Sequence, residues 1–257
     1  MSWAEGMRRR LGAHGARWIV PDWPAPQGVR AFVTTRAGGV SEGEHASMNL
    51  GLSSGDAPEK VALNRAVVRA SLPSEPRWLA QVHGTTAVLL DDLERDARPQ
   101  ADAAVASVPG TVCTVLTADC LPLLLCDDAG RRVAAAHAGW RGMAAGVIEN
   151  AVRAMGVAPG SVMAWMGPAI GPEAFEVGPE VREAFVAADA RSDIAFHAHR
   201  EGKYLADLYA LARRRLALAG VSRVHGGGFC TYRESDRFFS YRREKRSGRM
   251  GAFIWIE

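Results

Sequence analysis

Short apolar runs, separated by glycine, proline or small polar residues, dominate the hydrophobic pattern of this chain. Four of them follow one another between residues 101 and 138: ADAAVAS, TVCTVLTA, LPLLLCD and RRVAAAHA. Runs of this length bounded by turn residues are typical of buried strands. The same pattern predicts strands at VRAFVTT (29–35), SVMAWMG (161–167) and GAFIWIE (251–257).

Helical spacing of apolar residues predicts helices in four segments: 55–72, 141–156, 178–188 and 204–220. Asp56 is predicted to cap the first helix, with Glu59 completing a capping box. Gly156 and Gly220 are predicted to end the second and the last. Strands outnumber helices and do not strictly alternate with them, so we predict an α+β fold with a mixed-sheet sandwich and not a doubly wound sheet.

Composition and charge place the chain among ordinary globular proteins. Hydrophobic residues make up 48% and charged residues 23%, and no repeat or linker interrupts the sequence. We therefore predict an N-terminal leader at 1–17 and one domain over 18–257. The net charge of +3 is dispersed and does not predict a nucleic-acid partner. No run reaches the roughly 18 apolar residues of a membrane span, and no pattern indicates a protein partner.

The cysteines argue for a reducing compartment. The chain has four cysteines: Cys113, Cys120, Cys126 and Cys230. They form no CxxC pair, which disfavours a zinc ribbon, and three of the four lie in apolar strand-like sequence. Such cysteines are typical of reduced thiols. The N-terminus also lacks an apolar core followed by a cleavage site, so we predict a cytoplasmic protein without a targeting segment.

Three potential metal ligands fall at the ends of apolar segments: His83, Cys120 and His137. Zinc and copper both accept imidazole and thiolate, and three protein ligands would leave a fourth position open for a reactive water. Asp119 adjoins Cys120 and could orient a ligand or act as a base. Spacing alone leaves the alternative open, because strand-end histidines are often structural and apolar-flanked cysteines often belong to a core.

Two glycine-containing segments are candidate anion sites. HAGWRG places Arg141 at the predicted start of a helix, where free N–H groups bind anions. TTRAGGVS places Arg36 beside Gly38 and Gly39. The alternative for each segment is a plain tight turn, and neither matches a Walker or dinucleotide motif.

Together these motifs resemble the bacterial laccase-domain family, also labelled polyphenol oxidase, peptidoglycan editing factor and purine nucleoside phosphorylase. The resemblance covers roughly residues 18–257 and rests on TTRAGGVS, NLG, QVHGT, ADAAV, TADCLPLLL, AAAHAGWRG, MGPAIG, CTY and FFSYRREKRSGRM, in that order. It implies a four-layer α/β/β/α fold with mixed sheets. It also implies a zinc or copper ion held by His83, Cys120 and His137, and a substrate pocket assisted by Arg36, Asn49 and Asp119.

The activity implied by the resemblance is phosphorolysis of adenosine, inosine and methylthioadenosine, together with deamination of adenosine. The substrates would be a purine nucleoside and phosphate. Arg242 or Arg243 could contribute to the phosphate site, with plain surface charge as the alternative for either. A metal-activated water suits deamination, and arginines with glycine loops suit a phosphate site.

Three alternatives remain open from the sequence. In a cell-wall-precursor amidase, Cys120 would be the nucleophile and His137 its base. A four-copper laccase would need about ten histidines, and the chain has seven, so only a single-copper oxidase remains. A structural zinc protein would need a fourth ligand such as Cys230 or His225.

Overall fold

Two β-sheets packed face to face form the centre of the fold in the computed structural model, which describes Gly6 and residues 18–257. The predicted leader at 1–17 therefore lies outside the described residues, apart from Gly6. The described strands are β1 Val29–Val33, β2 Ala87–Leu89, β3 Ala103–Ala106, β4 Cys113–Thr117, β5 Leu121–Asp127, β6 Val133–Ala138, β7 Val162–Met166, β8 Glu176–Val177, β9 Phe196–Ala198, β10 Tyr204–Ala206, β11 Arg223–Gly226 and β12 Met250–Ile256.

The described α-helices are α1 Pro58–Arg69, α2 Trp140–Ala145, α3 Val147–Ala154, α4 Pro179–Ala188, α5 Leu208–Leu218 and α6 Tyr241–Glu244. Short 3-10 helices occupy Gly43–His45, Leu90–Asp92, Pro159–Ser161 and Ala190–Ala195. None of the helices over residues 18–257 combines the length and apolarity needed to cross a membrane.

The larger sheet is mixed and has the strand order β11-β7-β5-β6-β3-β2. Its two edge pairs, β11 with β7 and β2 with β3, are parallel, and the pairs between them are antiparallel. The second sheet is antiparallel, with β12 between β1 and β4. A small third sheet contains β8, β10 and β9.

The molecule has four layers. Successive residues of a strand point to opposite faces of its sheet, so each sheet packs against a different layer on either side. Along β12, Ala252 and Ile254 pack toward the larger sheet, whereas Phe253 and Trp255 pack on the outer side with Val68 of α1. The second sheet is therefore covered by α1 on one face and by the larger sheet on the other.

The larger sheet is buried in the same way. In β5, Leu124 and Cys126 face the second sheet, while Leu123 and Leu125 face a core that also contains Ile148 of α3 and residues of α4 and α5. Burial on both faces explains why β5 is a continuous apolar run. These packing relations confirm the predicted α+β fold with four α/β/β/α layers and mixed sheets.

The predicted helix over 141–156 is instead two helices, α2 and α3, joined at Gly146. This glycine is left-handed, with φ of 108°, and its N–H bonds to the carbonyl oxygens of Gly142 and Met143. Glycine adopts this conformation without the steric cost that a Cβ adds. The helix predicted over 204–220 begins only at Leu208, because Asp207 caps it by accepting hydrogen bonds from two backbone N–H groups.

Asp56 does not form the predicted capping box. Its carboxylate accepts hydrogen bonds from the Ser41 hydroxyl at 2.6 Å and the Asn49 amide at 2.9 Å. Helix α1 begins at Pro58, with Ala57 preceding it and no side-chain cap. Asp56 thus joins the loops that precede α1, and proline at the first helical position reduces by one the backbone N–H groups that need a partner there.

Candidate metal centre

Antiparallel pairing of β5 and β6 brings Cys120 and His137 together. Cys120 directly precedes β5, and His137 is the penultimate residue of β6. In the register of the two strands, Pro122 lies opposite His137. The start of one strand therefore lies beside the end of the other.

His83 reaches the same place from the loop that precedes β2. Its backbone is left-handed, with φ of 59°, a conformation that residues other than glycine adopt infrequently. The carboxylate of Asp102 accepts hydrogen bonds from three successive backbone N–H groups of this loop, at 3.2 Å from Val82, 2.9 Å from His83 and 2.7 Å from Gly84. These bonds hold the loop in the conformation that turns the His83 ring toward Cys120.

The three side chains form a compact cluster. One donor atom from each of His83, Cys120 and His137 lies within 4.8 Å of the other two, and the Cys120 Sγ is 3.8 Å from the His83 Nε2. The two imidazole rings are 4.7 Å apart between centroids, at 78° to one another. His137 is buried, Cys120 is half-buried and His83 is exposed, so the cluster opens toward solvent on the His83 side.

Electrostatics favour a thiolate at Cys120. Burial alone would raise the pKa of its thiol, but the charge and hydrogen bond of His137, together with His83, lower that pKa to about 6. Burial likewise acts to lower the pKa of His137, whereas the Cys120 thiolate and the Asp102 carboxylate raise it to about 9. Both shifts favour a thiolate at Cys120 and an imidazolium at His137 in the metal-free protein.

This donor set fits a transition-metal ion. Two imidazoles and a thiolate are ligands that zinc and copper both accept, and a metal needs the thiolate form that Cys120 adopts. Among residues 18–257 and Gly6, this is the one group of three or more such side chains close enough to share an ion. Cys230, a suggested fourth ligand, instead accepts a hydrogen bond from the Gly171 N–H at 3.3 Å through its Sγ.

The cluster lies in the wall of a cavity of about 930 Å³. This volume is at the upper end of the range for small-molecule sites. Four arginines and three aromatic residues also line the cavity: Arg98, Arg141, Arg242 and Arg249, with Trp140, Phe175 and Tyr241. The cavity therefore joins a candidate metal centre to a cationic wall that suits an anion.

Asp119 also lines this cavity, next to Cys120. Its backbone is left-handed, with φ of 84°. Its carboxylate accepts hydrogen bonds from the Thr231 hydroxyl at 2.6 Å and from the Arg242 backbone N–H at 2.7 Å. Asp119 thus ties the turn between β4 and β5 to the first residues of α6.

The other predicted substrate residues separate into two groups. Arg141 lines the cavity, whereas Arg36 and Asn49 do not. The Arg36 guanidinium donates to the carbonyls of Ala46 and Ser235 and pairs with Glu244 at 3.1 Å. Substrate contact by Arg36 stays a prediction, with its guanidinium engaged by these three partners.

Asn49 is fully buried behind the cavity wall. Its side-chain oxygen accepts hydrogen bonds from the backbone N–H groups of Gly51 and Arg249, each at 2.9 Å. It therefore contacts a cavity-lining residue from behind. Direct contact of Asn49 with substrate likewise stays a prediction.

Sequence reasoning did not single out Asp102, Arg98 or Arg249. Asp102 is fully buried, and besides the His83 loop it binds the His137 Nδ1 at 2.8 Å. The sequence did contain a signal for Asp102, which is the one charged residue in the apolar run ADAAV. An aspartate is almost never fully buried without partners, so its position in a predicted buried strand indicates that it binds other residues. Arg98 and Arg249 carried no comparable signal, since arginines are mostly exposed.

Comparison with known proteins agrees with this architecture. Residues 30–257 match the sequence model of the family described as multi-copper polyphenol oxidoreductase laccase. Purine nucleoside phosphorylase YfiH of Escherichia coli K12 is 54% identical over 243 residues, covering 94% of this chain and 99% of that protein. Purine nucleoside phosphorylase PA4543 of Pseudomonas aeruginosa is 53% identical over 241 residues, covering 93% of this chain and 98% of that protein.

Solved structures of similar proteins have the same fold. The Neisseria meningitidis protein NMB0706 superposes with a TM-score of 0.90 at 48% identity, covering 93% of this chain and 99% of the other. Bacillus licheniformis YfiH superposes with a TM-score of 0.88 at 30% identity, covering 96% of this chain and 98% of the other. The chain belongs to the multi-copper polyphenol oxidoreductase laccase family.

Proposed function

We propose that this protein is a metal-dependent purine nucleoside phosphorylase that also deaminates adenosine. The observation that carries the proposal is the His83–Cys120–His137 cluster opening into an arginine-lined cavity. Relatives more than 50% identical over nearly the whole chain bear the name purine nucleoside phosphorylase, which supports the reaction class. The proposed substrates are adenosine, inosine and methylthioadenosine, each with inorganic phosphate.

Phosphorolysis forms a bond between a phosphate oxygen and C1′ of the ribose and breaks the N-glycosidic bond. The departing purine nitrogen takes up the proton that hydrogen phosphate loses, so the products are ribose 1-phosphate and the neutral free base. The protein must bind the phosphate anion, orient it toward C1′ and balance the charge that develops during the reaction. Arg98, Arg141, Arg242 and Arg249 are the cationic side chains of the cavity wall that are suited to hold the phosphate.

Asp119 fits a positioning role better than that of a base. Both of its carboxylate oxygens accept strong hydrogen bonds, one from Thr231 and one from the Arg242 backbone. The latter bond fixes the start of α6, and the Arg242 guanidinium donates to the Glu176 carbonyl at 2.8 Å. We assign Asp119 to holding the Arg242 segment at the cavity wall.

The metal would be held by His83, Cys120 and His137, with zinc the proposed ion and copper the alternative. A bound ion of this kind supplies Lewis-acid catalysis and a water of lowered pKa, which is the chemistry that deamination of adenosine needs. A multi-copper centre is not proposed, because the chain has seven histidines and a four-copper oxidase uses about ten. If the protein were an oxidase, the two imidazoles and one thiolate would suit a single copper ion.

One observation favours a second candidate, the cell-wall-precursor amidase. A Cys120 thiol with its pKa lowered to about 6 beside the buried His137 has the features of a nucleophile and its base. Metal content discriminates between the two candidates, because a thiolate that is bound to a metal is a poor free nucleophile.

The proposed compartment is the cytoplasm. All four cysteines are free, and two of them, Cys113 and Cys126, are buried in the core between the sheets. Free thiols suit a reducing compartment.

Release of adenine from adenosine, with and without phosphate, tests the proposal. We expect adenine and ribose 1-phosphate in equal amounts when phosphate is present, and inosine as a second, phosphate-independent product. Adenine without ribose 1-phosphate would indicate hydrolysis. No turnover of any purine nucleoside by the metal-loaded protein would overturn the proposal in favour of the amidase.

A further inference from the structure

We propose that Asp102 is a positioning residue that sets the geometry of both histidines and fixes which nitrogen of His137 faces the cluster. This inference rests on the metal site of the proposed function, but not on the identity of the substrate. Asp102 lies just before β3, is fully buried and does not line the cavity. It therefore acts through other residues and not on the substrate.

The Asp102 carboxylate has an unusually complete set of donors. Its Oδ1 accepts hydrogen bonds from the His83 backbone N–H at 2.9 Å and binds the His137 Nδ1 at 2.8 Å. Its Oδ2 accepts from the backbone N–H groups of Val82 at 3.2 Å and Gly84 at 2.7 Å. Four donors match the lone-pair sites of one carboxylate, so the group is saturated.

This arrangement determines the tautomer of His137. An ionised carboxylate only accepts hydrogen bonds, so the nitrogen that faces it must carry a proton. In the neutral ring the proton is then on Nδ1, and the Nε2 lone pair is directed to the Cys120 side. A metal-ligating histidine commonly donates its second ring N–H to a carboxylate, which fixes the ring orientation and increases ligand basicity.

Asp102 also holds His137 and His83 relative to one another. Besides the side-chain bonds, its carbonyl oxygen accepts a hydrogen bond from the His137 N–H at 2.7 Å. The same residue thus holds the backbone and ring of His137 and the left-handed backbone of His83. Because the two histidines are 54 positions apart in the chain, a single buried carboxylate links ligands that no local structure connects.

Asp102→Asn tests the proposal because an amide keeps the size of the side chain but has one acceptor atom and one donor group. If the amide oxygen keeps the Val82 and Gly84 bonds, its NH₂ faces His137 and the His83 N–H. The His137 ring must then either lose this bond or move its proton to Nε2. The reversed amide loses the Val82 and Gly84 bonds instead and loosens the His83 loop.

The matched control is Asp127→Asn. Asp127 is also a buried aspartate whose carboxylate accepts hydrogen bonds from two backbone N–H groups, those of Arg131 and Arg132. It lies at the opposite end of β5 from Cys120. Its substitution tests the effect of replacing a buried carboxylate without touching either histidine.

The first measurement is zinc affinity of the purified protein by chelator competition, in the absence of any nucleoside. We expect Asp102→Asn to lower the affinity about 10- to 100-fold and Asp127→Asn to leave it unchanged. Equal affinity in all three proteins, or an equal loss in both variants, would overturn the proposal. A failure of the phosphorylase reaction alone would not, because no nucleoside is involved.

The second measurement needs only the unmodified sequence and holds even if Asp102→Asn fails to fold. A long-range ¹H–¹⁵N spectrum of the zinc-loaded protein reports which nitrogen of each histidine carries the metal and which the proton. We expect the proton of His137 on Nδ1 and the metal on Nε2. Metal on Nδ1, or no metal on His137, would overturn the proposal.

Discussion

At the scale of single residues, the surroundings of each cysteine determine whether the pKa of its thiol is raised or lowered. Cys113 and Cys126 are fully buried among apolar neighbours, and burial raises the pKa of both thiols. Cys120 is also shielded, but His137 and His83 overcome the effect of burial and lower its pKa to about 6. Two neighbouring imidazoles and partial exposure therefore distinguish Cys120, where a thiolate is favoured, from the two core cysteines.

We predict that Cys120 of the metal-free protein reacts with iodoacetamide at unusually low pH. The thiolate is the nucleophile, so the reaction rate should rise as pH increases through about 6 and then level off. Mass spectrometry of tryptic peptides across a pH series measures the rate at each cysteine. Zinc should protect Cys120, and Cys113 and Cys126 should stay unmodified.

A Cys230→Ser variant serves as the control for this experiment, because Cys230 is the other half-buried thiol. It should leave the profile of Cys120 unchanged. A midpoint near the ordinary pKa of a cysteine would contradict the electrostatic account of the cluster.

At the scale of elements, the junction between β6 and α2 packs closely against the metal-ligand cluster. A Cβ added to Gly139 would lie 2.9 Å from the Cys120 Sγ and 3.1 Å from the His83 Cδ2. The backbone of Gly139 is extended, with φ of −65°, so alanine fits its conformation. Lack of a side chain here therefore makes room for two of the three donor residues.

Gly139→Ala is predicted to impair the metal site while the protein stays folded. The added methyl group must displace Cys120 or His83, and overpacking of this kind costs about 1–3 kcal/mol. Zinc affinity by chelator competition and urea unfolding measure the two effects. Gly160→Ala is the matched control, because a Cβ at Gly160 meets no atom within 4 Å. Equal zinc affinity of the two variants would show that Gly139 does not constrain the cluster.

The longer strands of this fold were predictable from the sequence, whereas the short strands β8 to β11 and the break within the 141–156 helix were not. The apolar runs of β3 to β7 are local signals of burial, and each became a strand. Gly146 lies inside a helical pattern, where a single glycine is tolerated, and only its left-handed backbone separates α2 from α3. Asp56 likewise fitted a local capping motif but is held by two more distant side chains.

The candidate site was predictable only in part, for a related reason. His83, Cys120 and His137 stand at the ends of apolar segments, and together with the family resemblance this position marked them. Asp102 acts through partners from two other segments, and this role is defined only when β3 pairs with β6. Residues that act through contacts made on folding leave little trace in a single sequence.

At the scale of the whole molecule, β12 joins strands that are far apart in the sequence. β12 pairs with β1 and with β4 and is buried along all seven residues. The turn that ends in Cys120 follows β4 directly. Stability of the second sheet and placement of the metal centre therefore depend on Met250–Ile256.

Phe253→Ala is predicted to destabilise the protein strongly. Phe253 is fully buried between the second sheet and α1, with its ring 5.0 Å from that of Phe32. Removing a core phenylalanine costs about 3–5 kcal/mol, which urea unfolding would detect. Leu63→Ala on the exposed side of α1, where the leucine is 58% exposed, should change stability by no more than about 0.5 kcal/mol. Similar losses in both would contradict the layered core.

We propose that a single metal ion, held by His83, Cys120 and His137, serves nucleoside phosphorolysis. The most direct test measures metal content and phosphate-dependent adenine release in the same samples of the unmodified protein, Cys120→Ala and Cys230→Ser. We predict about one ion per chain, with activity, in the unmodified protein and Cys230→Ser, and the loss of both in Cys120→Ala. Full phosphorolysis by metal-free Cys120→Ala would contradict the claim.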